Sequence, residues 1–130
     1  MKPRIAILED HEDTREMLRI ALDQEYSIRD FGNTADLLAA METEKFAAII
    51  ADIMVPGLDG FALIKAVRSD PRFADLCVIA VTALAMASDR EKGMSAGFTE
   101  YLVKPIIPKQ IAEVLERCLG DDTSDSSRIA

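Results

Sequence analysis

The sequence predicts one doubly wound α/β domain, in which five strands of a parallel sheet alternate with five helices. Two observations support this prediction. Short apolar runs of strand length alternate with longer segments of helical periodicity, and the chain contains no internal repeat. The central run, residues 47–52, is apolar throughout until it ends in Asp52, as expected of a strand buried on both faces. Because parallel strands need right-handed crossovers, helices should cover both faces of the sheet.

The first strand is predicted at residues 4–8, and a dense acidic loop follows at residues 9–13. The next segment carries apolar residues at helical spacing, with Asp13 or Thr14 as its expected N-cap. Residues 26–31 alternate between apolar and polar types, which indicates a strand at the edge of the sheet.

Asn33 is a favourable N-cap for the second helix, which precedes the central strand. Asp59 can cap the third helix. This helix should end near Ser69, because Pro71 disfavours helical geometry in the residue before it. The fourth strand should then end at Thr82.

Ser88 begins a segment with capping-box spacing, which predicts a short fourth helix. This helix contains Gly93, which weakens it, and should stop at Gly97. The fifth strand is predicted at residues 100–103, and Pro108 suits the first turn of a last helix.

Composition excludes several classes of protein. A net charge of −8 gives little attraction for nucleic acid, which requires clustered Lys and Arg. No apolar run approaches the ~20 residues that cross a membrane, and no basic-then-apolar leader is present, so a cytoplasmic location is expected. Residues 1–120 should form the domain and residues 121–130 an acidic, serine-rich tail. Cys77 and Cys118 are expected to be buried and reduced rather than to form a disulfide framework.

Polar side chains lie at the carboxyl ends of four predicted strands. These residues are Glu9, Asp10, Asp52, Thr82 and Lys104. Ligands of open α/β sheets bind at this edge, where the strand order reverses. Like-charged carboxylates at close range recruit a cation, and oxygen ligands with room for water suit Mg²⁺.

At this point the sequence resembles the receiver domains of two-component response regulators, from Arg4 to about Leu119. The resemblance lies in an acidic pair, an aspartate followed by a proline and a glycine, a hydroxyl before a small residue, an aromatic residue and a Lys-Pro pair. These positions are Glu9, Asp10, Asp52, Pro56, Gly60, Thr82, Ala83, Tyr101, Lys104 and Pro105. The resemblance implies a flavodoxin-like sheet of order 2-1-3-4-5.

The resemblance also implies a phosphorylation-activated switch rather than an enzyme that acts on other substrates. Asp52 would accept a phosphoryl group from the phosphohistidine of a sensor kinase or of a phosphotransfer protein. Thr82 and Lys104 would contact phosphoryl oxygens. Four groups would hold Mg²⁺: Glu9, Asp10, Asp52 and the main-chain carbonyl of Met54.

The resemblance implies, further, that Tyr101 moves into space vacated by Thr82 after phosphorylation, and that the peptide bond before Pro105 is cis. The last two strands and helices would form a switch surface, with a homodimer possible through it and no direct contact with nucleic acid or membrane. Met54 and Leu84 would flank the path of attacking water, and their apolar bulk predicts slow loss of phosphate.

Each of these residues also has a plainer interpretation. Thr82 can simply cap the following turn, and Tyr101 can be an ordinary aromatic residue on an edge strand. Lys104 can be a solvated surface lysine, although its place between an apolar strand and a proline argues against this. His11 is expected to be a solvent-facing loop residue rather than a metal ligand, because the chain has no second histidine.

Three other functional classes compete with the receiver interpretation. A dehalogenase-type phosphatase needs a second acid two residues after Asp52, where this chain has Met54. A flavin carrier needs a hydroxyl- or glycine-rich phosphate loop after the first strand, where residues 9–13 are acidic. A degenerate receiver used as a scaffold would not be expected to keep the acidic pair together with Thr82 and Lys104.

Overall fold

The structure is a computed structural model that describes residues 2–53 and 60–120. Within these ranges, five strands alternate with five helices, as the sequence predicts. The strands are β1 (Arg4–Leu8), β2 (Ser27–Phe31), β3 (Ala48–Asp52), β4 (Cys77–Thr82) and β5 (Glu100–Val103). The helices are α1 (Glu12–Leu22), α2 (Thr34–Met41), α3 (Gly60–Ser69), α4 (Ala87–Ala96) and α5 (Pro108–Leu115). A 3₁₀ turn at Pro71–Phe73 precedes β4, and a π-helical segment at Glu116–Gly120 continues α5.

The strands form one parallel sheet in the order β2-β1-β3-β4-β5. This confirms the predicted fold class and the position of β2 at an edge. The central strand β3 pairs with β1 on one side and with β4 on the other, so that Ile50 lies opposite Ile7 and Ile79. Because both of its edges are paired and both of its faces are covered, every residue of β3 is buried. This burial explains why its sequence is continuously apolar up to Asp52.

Helices cover both faces of the sheet and enclose a separate apolar core on each side. On one side, Ile49 of β3 belongs to the same core as Leu63 of α3. On the other side, Ile50 shares a core with Leu18 of α1 and Ile111 of α5. Successive residues of β3 therefore serve opposite cores, as the alternating direction of side chains in a strand requires.

The helix start predicted for α2 is confirmed, whereas the one predicted for α1 is wrong. The Asn33 side chain caps α2 by accepting a hydrogen bond of 2.9 Å from the backbone N–H of Asp36. The N-cap of α1 is His11 and not Asp13 or Thr14, which both lie inside the helix. Acidic residues in the first turn stabilise α1 through its dipole, so they fit inside the helix as well as before it.

The cap predicted for α4 is also wrong, although the helix itself lies at Ala87–Ala96 as expected. Its N-cap is Met86 rather than Ser88, and the Asp89 carboxylate reaches back to accept a hydrogen bond of 3.3 Å from the Met86 N–H. The predicted stop is confirmed, because Gly97 ends α4 with a φ of +118°, in the left-handed region that favours glycine. Gly93 lies within the helix, where glycine costs about 1 kcal/mol relative to alanine.

Gly60 begins α3 because the chain passes very close to the end of β3. The Gly60 N–H donates to the carbonyl of Ile53 at 3.1 Å. A Cβ atom at position 60 would lie 2.2 Å from the Cβ of Ile53, which leaves room only for glycine. The predicted N-cap Asp59 lies outside the described residues. The end of α3 at Ser69, followed by Pro71 in the 3₁₀ turn, is confirmed.

The Arg68 guanidinium joins the end of α3 to the segments that enter β4 and β5. Its Nη1 donates to the carbonyls of Phe73 at 3.1 Å and Leu76 at 2.7 Å. Its Nε donates to the carbonyl of Gly97 at 2.9 Å, and Nη2 donates to the Thr99 hydroxyl at 3.2 Å. Arg68 thus fixes the C-terminal end of α4 to the body of the domain.

Both cysteines are free, as expected, and Cys77 is buried at the start of β4 while Cys118 is half-buried. Burial raises the pKa of the Cys77 thiol above its usual range, and the neighbouring Cys118 side chain raises it further. Cys77 is therefore held as an unreactive thiol. Among the described helices, none is both long enough and apolar enough to span a bilayer.

Candidate functional site

Three polar side chains are buried at the carboxyl ends of the strands. Glu9 directly follows β1, Asp52 ends β3 and Thr82 ends β4, and their exposed fractions are 2%, 4% and 0%. Burial of a charge is unfavourable unless a partner compensates for it. The parallel topology brings these groups to one edge of the sheet, as the sequence predicts.

Lys104 supplies the compensating charge. Its Nζ donates to Asp52 Oδ2 at 2.7 Å and lies 3.3 Å from Glu9 Oε1. Burial by itself lowers the pKa of Lys104, but the hydrogen bond to Asp52 and the charges of both carboxylates outweigh it, so the pKa lies above its usual value. Lys104 is therefore not a solvated surface lysine.

The backbone around Lys104 helps to place this ammonium group. The Lys104 N–H donates to the carbonyl of Thr82 at 2.7 Å, which extends the pairing of β4 and β5 by one residue. The peptide bond between Lys104 and Pro105 is cis, as the resemblance implies.

The acidic loop after β1 contains a contact that the sequence analysis missed. His11 Nδ1 lies 3.1 Å from Glu9 Oε2 and 3.2 Å from Asp10 Oδ1. The prediction that His11 faces solvent is correct, since 71% of its side chain is exposed, yet its ring contacts both members of the acidic pair. The sequence signal for this contact was the position of His11 two residues after Glu9.

The donor chemistry at this edge fits a divalent cation. Ligand atoms of Glu9, Asp10 and His11 lie within 4.8 Å of one another, and Asp52 is not a member of this group. Glu9 is buried and held by Lys104, whereas Asp10 is exposed. Carboxylate oxygens are the ligands that Mg²⁺ prefers. Met54 and Pro56, two further predicted positions, lie outside the described residues.

Thr82 and Tyr101 meet at the backbone of Leu84. The Thr82 hydroxyl accepts a hydrogen bond of 3.1 Å from the Leu84 N–H, so the plainer interpretation of Thr82 as a turn cap describes a real contact. The Tyr101 hydroxyl donates to the Leu84 carbonyl at 2.8 Å. These bonds link β5 to the loop between β4 and α4.

Tyr101 is almost fully buried, with 1% of its surface exposed, although β5 is an edge strand. Burial raises its pKa, the Asp89 charge adds to this effect, and Arg90 and a hydrogen bond with Thr82 oppose it. Tyr101 therefore lies on an edge strand, as the plainer interpretation has it, but its ring is buried rather than exposed to solvent.

A comparison with known protein families decides the class. The family model for the response regulator receiver domain matches residues 5–116. This chain belongs to the response regulator receiver family. Receiver domains are phosphorylation-dependent switches of two-component signal transduction.

Curated relatives differ in how much of their length the receiver occupies. An uncharacterised 14.6 kDa protein from Leptolyngbya boryana is 35% identical over 118 residues, which cover 89% of this chain and 90% of that protein. The response regulator PleD of Caulobacter vibrioides is 34% identical over 82% of this chain but only 24% of its own length. The receiver thus corresponds to nearly all of one relative and to a minor part of another.

Solved structures agree with the fold of this receiver domain. The chemotaxis response regulator CheY4 of Vibrio cholerae is 26% identical, with a TM-score of 0.85 over 92% of this chain and 100% of that one. The receiver domain of the sensor histidine kinase PA1611 from Pseudomonas aeruginosa is 26% identical, with a TM-score of 0.83 over 92% of this chain and 99% of that one. The latter structure has a magnesium ion coordinated in its active site cleft.

Proposed function

We propose that Asp52 of this receiver domain accepts a phosphoryl group from the phosphohistidine of a sensor kinase or of a histidine phosphotransfer protein. The observation that supports this most directly is the contact of Lys104 Nζ with two buried carboxylates, Asp52 at 2.7 Å and Glu9 at 3.3 Å. A buried carboxylate beside a fixed ammonium group, at the ligand-binding edge of an open sheet, suits phosphoryl transfer.

In the proposed reaction, an Asp52 carboxylate oxygen bonds to phosphorus while the bond from phosphorus to the histidine nitrogen breaks. The transition state is loose, and its charge spreads over three equatorial oxygens. Lys104 would donate to one of these oxygens. Thr82 accepts a hydrogen bond from Leu84, and a hydroxyl that accepts one bond can still donate its own hydrogen to another phosphoryl oxygen.

The acidic edge would also hold Mg²⁺, which when bound neutralises charge on the phosphoryl group. Asp10 and Asp52 would be direct ligands together with the main-chain carbonyl of Met54, and Glu9 would act mainly through a bound water. The buried position of Glu9 and its contact with Lys104 support this indirect role.

Phosphorylation would then be transmitted through Thr82 and Tyr101. New negative charge at Asp52 would attract Thr82 and Lys104, and the hydrogen bonds around Leu84 would carry the change to α4 and β5. The resulting surface would engage a partner or a second copy of the chain.

The test is to incubate the chain with Mg²⁺ and acetyl phosphate and to measure its intact mass. The wild-type chain should gain one phosphoryl group, and Asp52→Asn should gain none. Asp75→Asn, which alters an exposed aspartate before β4, is the matched control and should behave as wild type. Equal labelling of Asp52→Asn and the wild type would contradict the assignment.

A further inference from the structure

Gly93 occupies the middle of α4, where no backbone requirement explains a glycine. Among the described glycines, only Gly97 has a positive φ, so Gly93 adopts ordinary helical geometry. Glycine is also the weakest helix former after proline. The reason for a glycine at this position must therefore be steric.

The space that a side chain would need at position 93 is occupied by Tyr101. A Cβ atom built on Gly93 would lie 2.7 Å from Cδ2 and 2.9 Å from Cε2 of the tyrosine ring. Real Cβ atoms essentially never approach other atoms below 3.0 Å. Gly93 is itself buried, so the ring lies directly against the backbone of α4.

Other contacts of Tyr101 are consistent with this buried position. Its hydroxyl donates to the Leu84 carbonyl at 2.8 Å, and the Arg90 guanidinium donates to its backbone carbonyl at 3.1 Å. The outer surface of β5 beside it carries a groove of about 450 Å³, which is lined in part by Tyr101 and Val103 of β5, Arg90 of α4 and Glu113 of α5.

We propose that Gly93 is the positioning residue that admits the Tyr101 ring to its buried position and so keeps the groove beside β5 open. A methyl group at position 93 would displace the ring rather than the helix, because a side chain rotates more easily than a packed backbone shifts. The displaced ring would turn toward the groove. This inference rests on the proposed function only in naming Tyr101 as part of the switch surface.

The experiment measures the exposure of Tyr101 by NMR of tyrosine labelled with ¹³C at Cε. The chain has two tyrosines, so a Tyr26→Phe background assigns the signal of Tyr101. A soluble nitroxide broadens signals from exposed rings. The Tyr101 signal should be protected in the parent chain, and in Gly93→Ala its broadening should approach that of the urea-unfolded chain. Ser95→Ala, an exposed change in the same helix, should leave it protected.

A second measurement separates displacement of the ring from general loss of stability. Thermal unfolding is compared for Gly93→Ala in the parent and in Tyr101→Leu, which removes the ring. With the ring absent, alanine should raise the unfolding midpoint as a better helix former, whereas with the ring present it should not. Equal changes in both backgrounds, or a folded Gly93→Ala with a protected Tyr101, would overturn the inference.

The same samples are then treated with acetyl phosphate, so that failure of the proposed function can be recognised separately. If Tyr101 is displaced in Gly93→Ala but Asp52 accepts no phosphoryl group in any variant, the positioning role stands and the proposed function fails. If Asp52 is phosphorylated but Tyr101 stays buried in the folded variant, the positioning role fails alone.

Discussion

At the scale of single residues, one ammonium group decides the electrostatics of the site. Glu9 and Asp52 are both buried carboxylates, and Lys104 Nζ contacts an oxygen of each. Removing a partner from such a cluster leaves charge that the surroundings no longer compensate. The site thus combines strong negative charge, which a divalent cation requires, with enough compensation for the chain to fold.

The first prediction concerns Lys104→Met. The variant should lose about 1–3 kcal/mol of unfolding free energy at neutral pH, because two buried carboxylates lose their charged donor. The Lys104 pKa is raised above 10.5 in the folded chain, so its stabilisation is present below that pH and disappears as pH rises through the folded pKa.

Urea titrations of Lys104→Met and the wild type at neutral pH and at about pH 11 test this dependence. The difference between the two proteins should shrink at the higher pH. Lys109→Met, which removes an exposed lysine on α5, is the control and should show little effect at either pH. A difference that stays constant across this pH range would contradict the prediction.

The second prediction concerns the acidic pair. Asp10→Asn should weaken Mg²⁺ binding more than Glu9→Gln does, because Asp10 is exposed while Glu9 is buried and held by Lys104; His11 contacts both carboxylates. Isothermal titration with Mg²⁺ measures both variants, and Glu12→Gln, at the start of α1, controls for lost negative charge. Equal or reversed losses would refute the predicted order.

The third prediction concerns the lifetime of the phosphoryl group. Leu84 is the residue whose N–H the Thr82 hydroxyl caps, and 38% of its surface is exposed. Its predicted apolar counterpart, Met54, lies outside the described residues. Neither side chain can orient a water molecule for in-line attack, so dephosphorylation should be slow for a receiver.

This prediction is tested by following loss of phosphate from the parent and from Met54→Asn combined with Leu84→Glu. The polar pair should speed hydrolysis, and Leu84→Met, which keeps the apolar bulk, should not. An unchanged or slower rate in the polar variant would show that steric exclusion of water does not set the lifetime.

At the scale of elements, α4 differs from the other helices in how it is attached. Gly93 is its buried residue, and its C-terminal end is held where Arg68 donates to the carbonyl of Gly97. Its N-terminal end follows the loop that contains the contacts of Thr82 and Tyr101. The helix is therefore anchored at one end and linked to the site at the other.

The fourth prediction concerns this anchor. Arg68→Met should lower the free energy of unfolding by about 2–3 kcal/mol, since several carbonyl groups lose a charged donor at once. Arg68→Lys should restore less than half of this loss, because one ammonium cannot reproduce the spread of guanidinium donors.

Chemical denaturation measures the total effect of each Arg68 variant, and hydrogen exchange at residues 97–99 locates it. Exchange there should accelerate more than in β1. If the two segments accelerate equally in a folded variant, Arg68 contributes general stability and does not anchor α4.

At the scale of the whole molecule, the central strands are firmly packed, whereas α4 is weakly attached. The central strands are buried on both faces, whereas α4 buries little of its surface. Elements with few buried contacts open most easily and are suited to moving during signalling. A homodimer through α4, β5 and α5 remains a prediction of this arrangement.

The fifth prediction follows from the weaker packing of α4 relative to the central strands. After phosphorylation in the presence of Mg²⁺, hydrogen exchange should change more in residues 84–103 than in residues 26–41. Asp52→Asn treated in the same way is the control and should show no change in either segment. A uniform response across both segments would count against a switch surface at α4 and β5.

The alternation of strands and helices could be read from the sequence because it depends on local patterns. A continuous apolar run indicates a strand buried on both faces, and the Asn33 cap depends on a residue three positions away. The polar groups at the site could also be predicted, because parallel strands must bring their carboxyl ends to one edge. Family resemblance then supplied roles that still await experiment.

Contacts between residues distant in the chain could be known only from the folded structure. The joint pairing of Lys104 with Glu9 and Asp52, and the fit of the Tyr101 ring against Gly93, depend on how separate elements pack. By helix propensity, Gly93 is only a weak point of α4, because propensity considers the helix alone. Packing supplies the missing reason: the space that glycine leaves on α4 is filled by a side chain from β5.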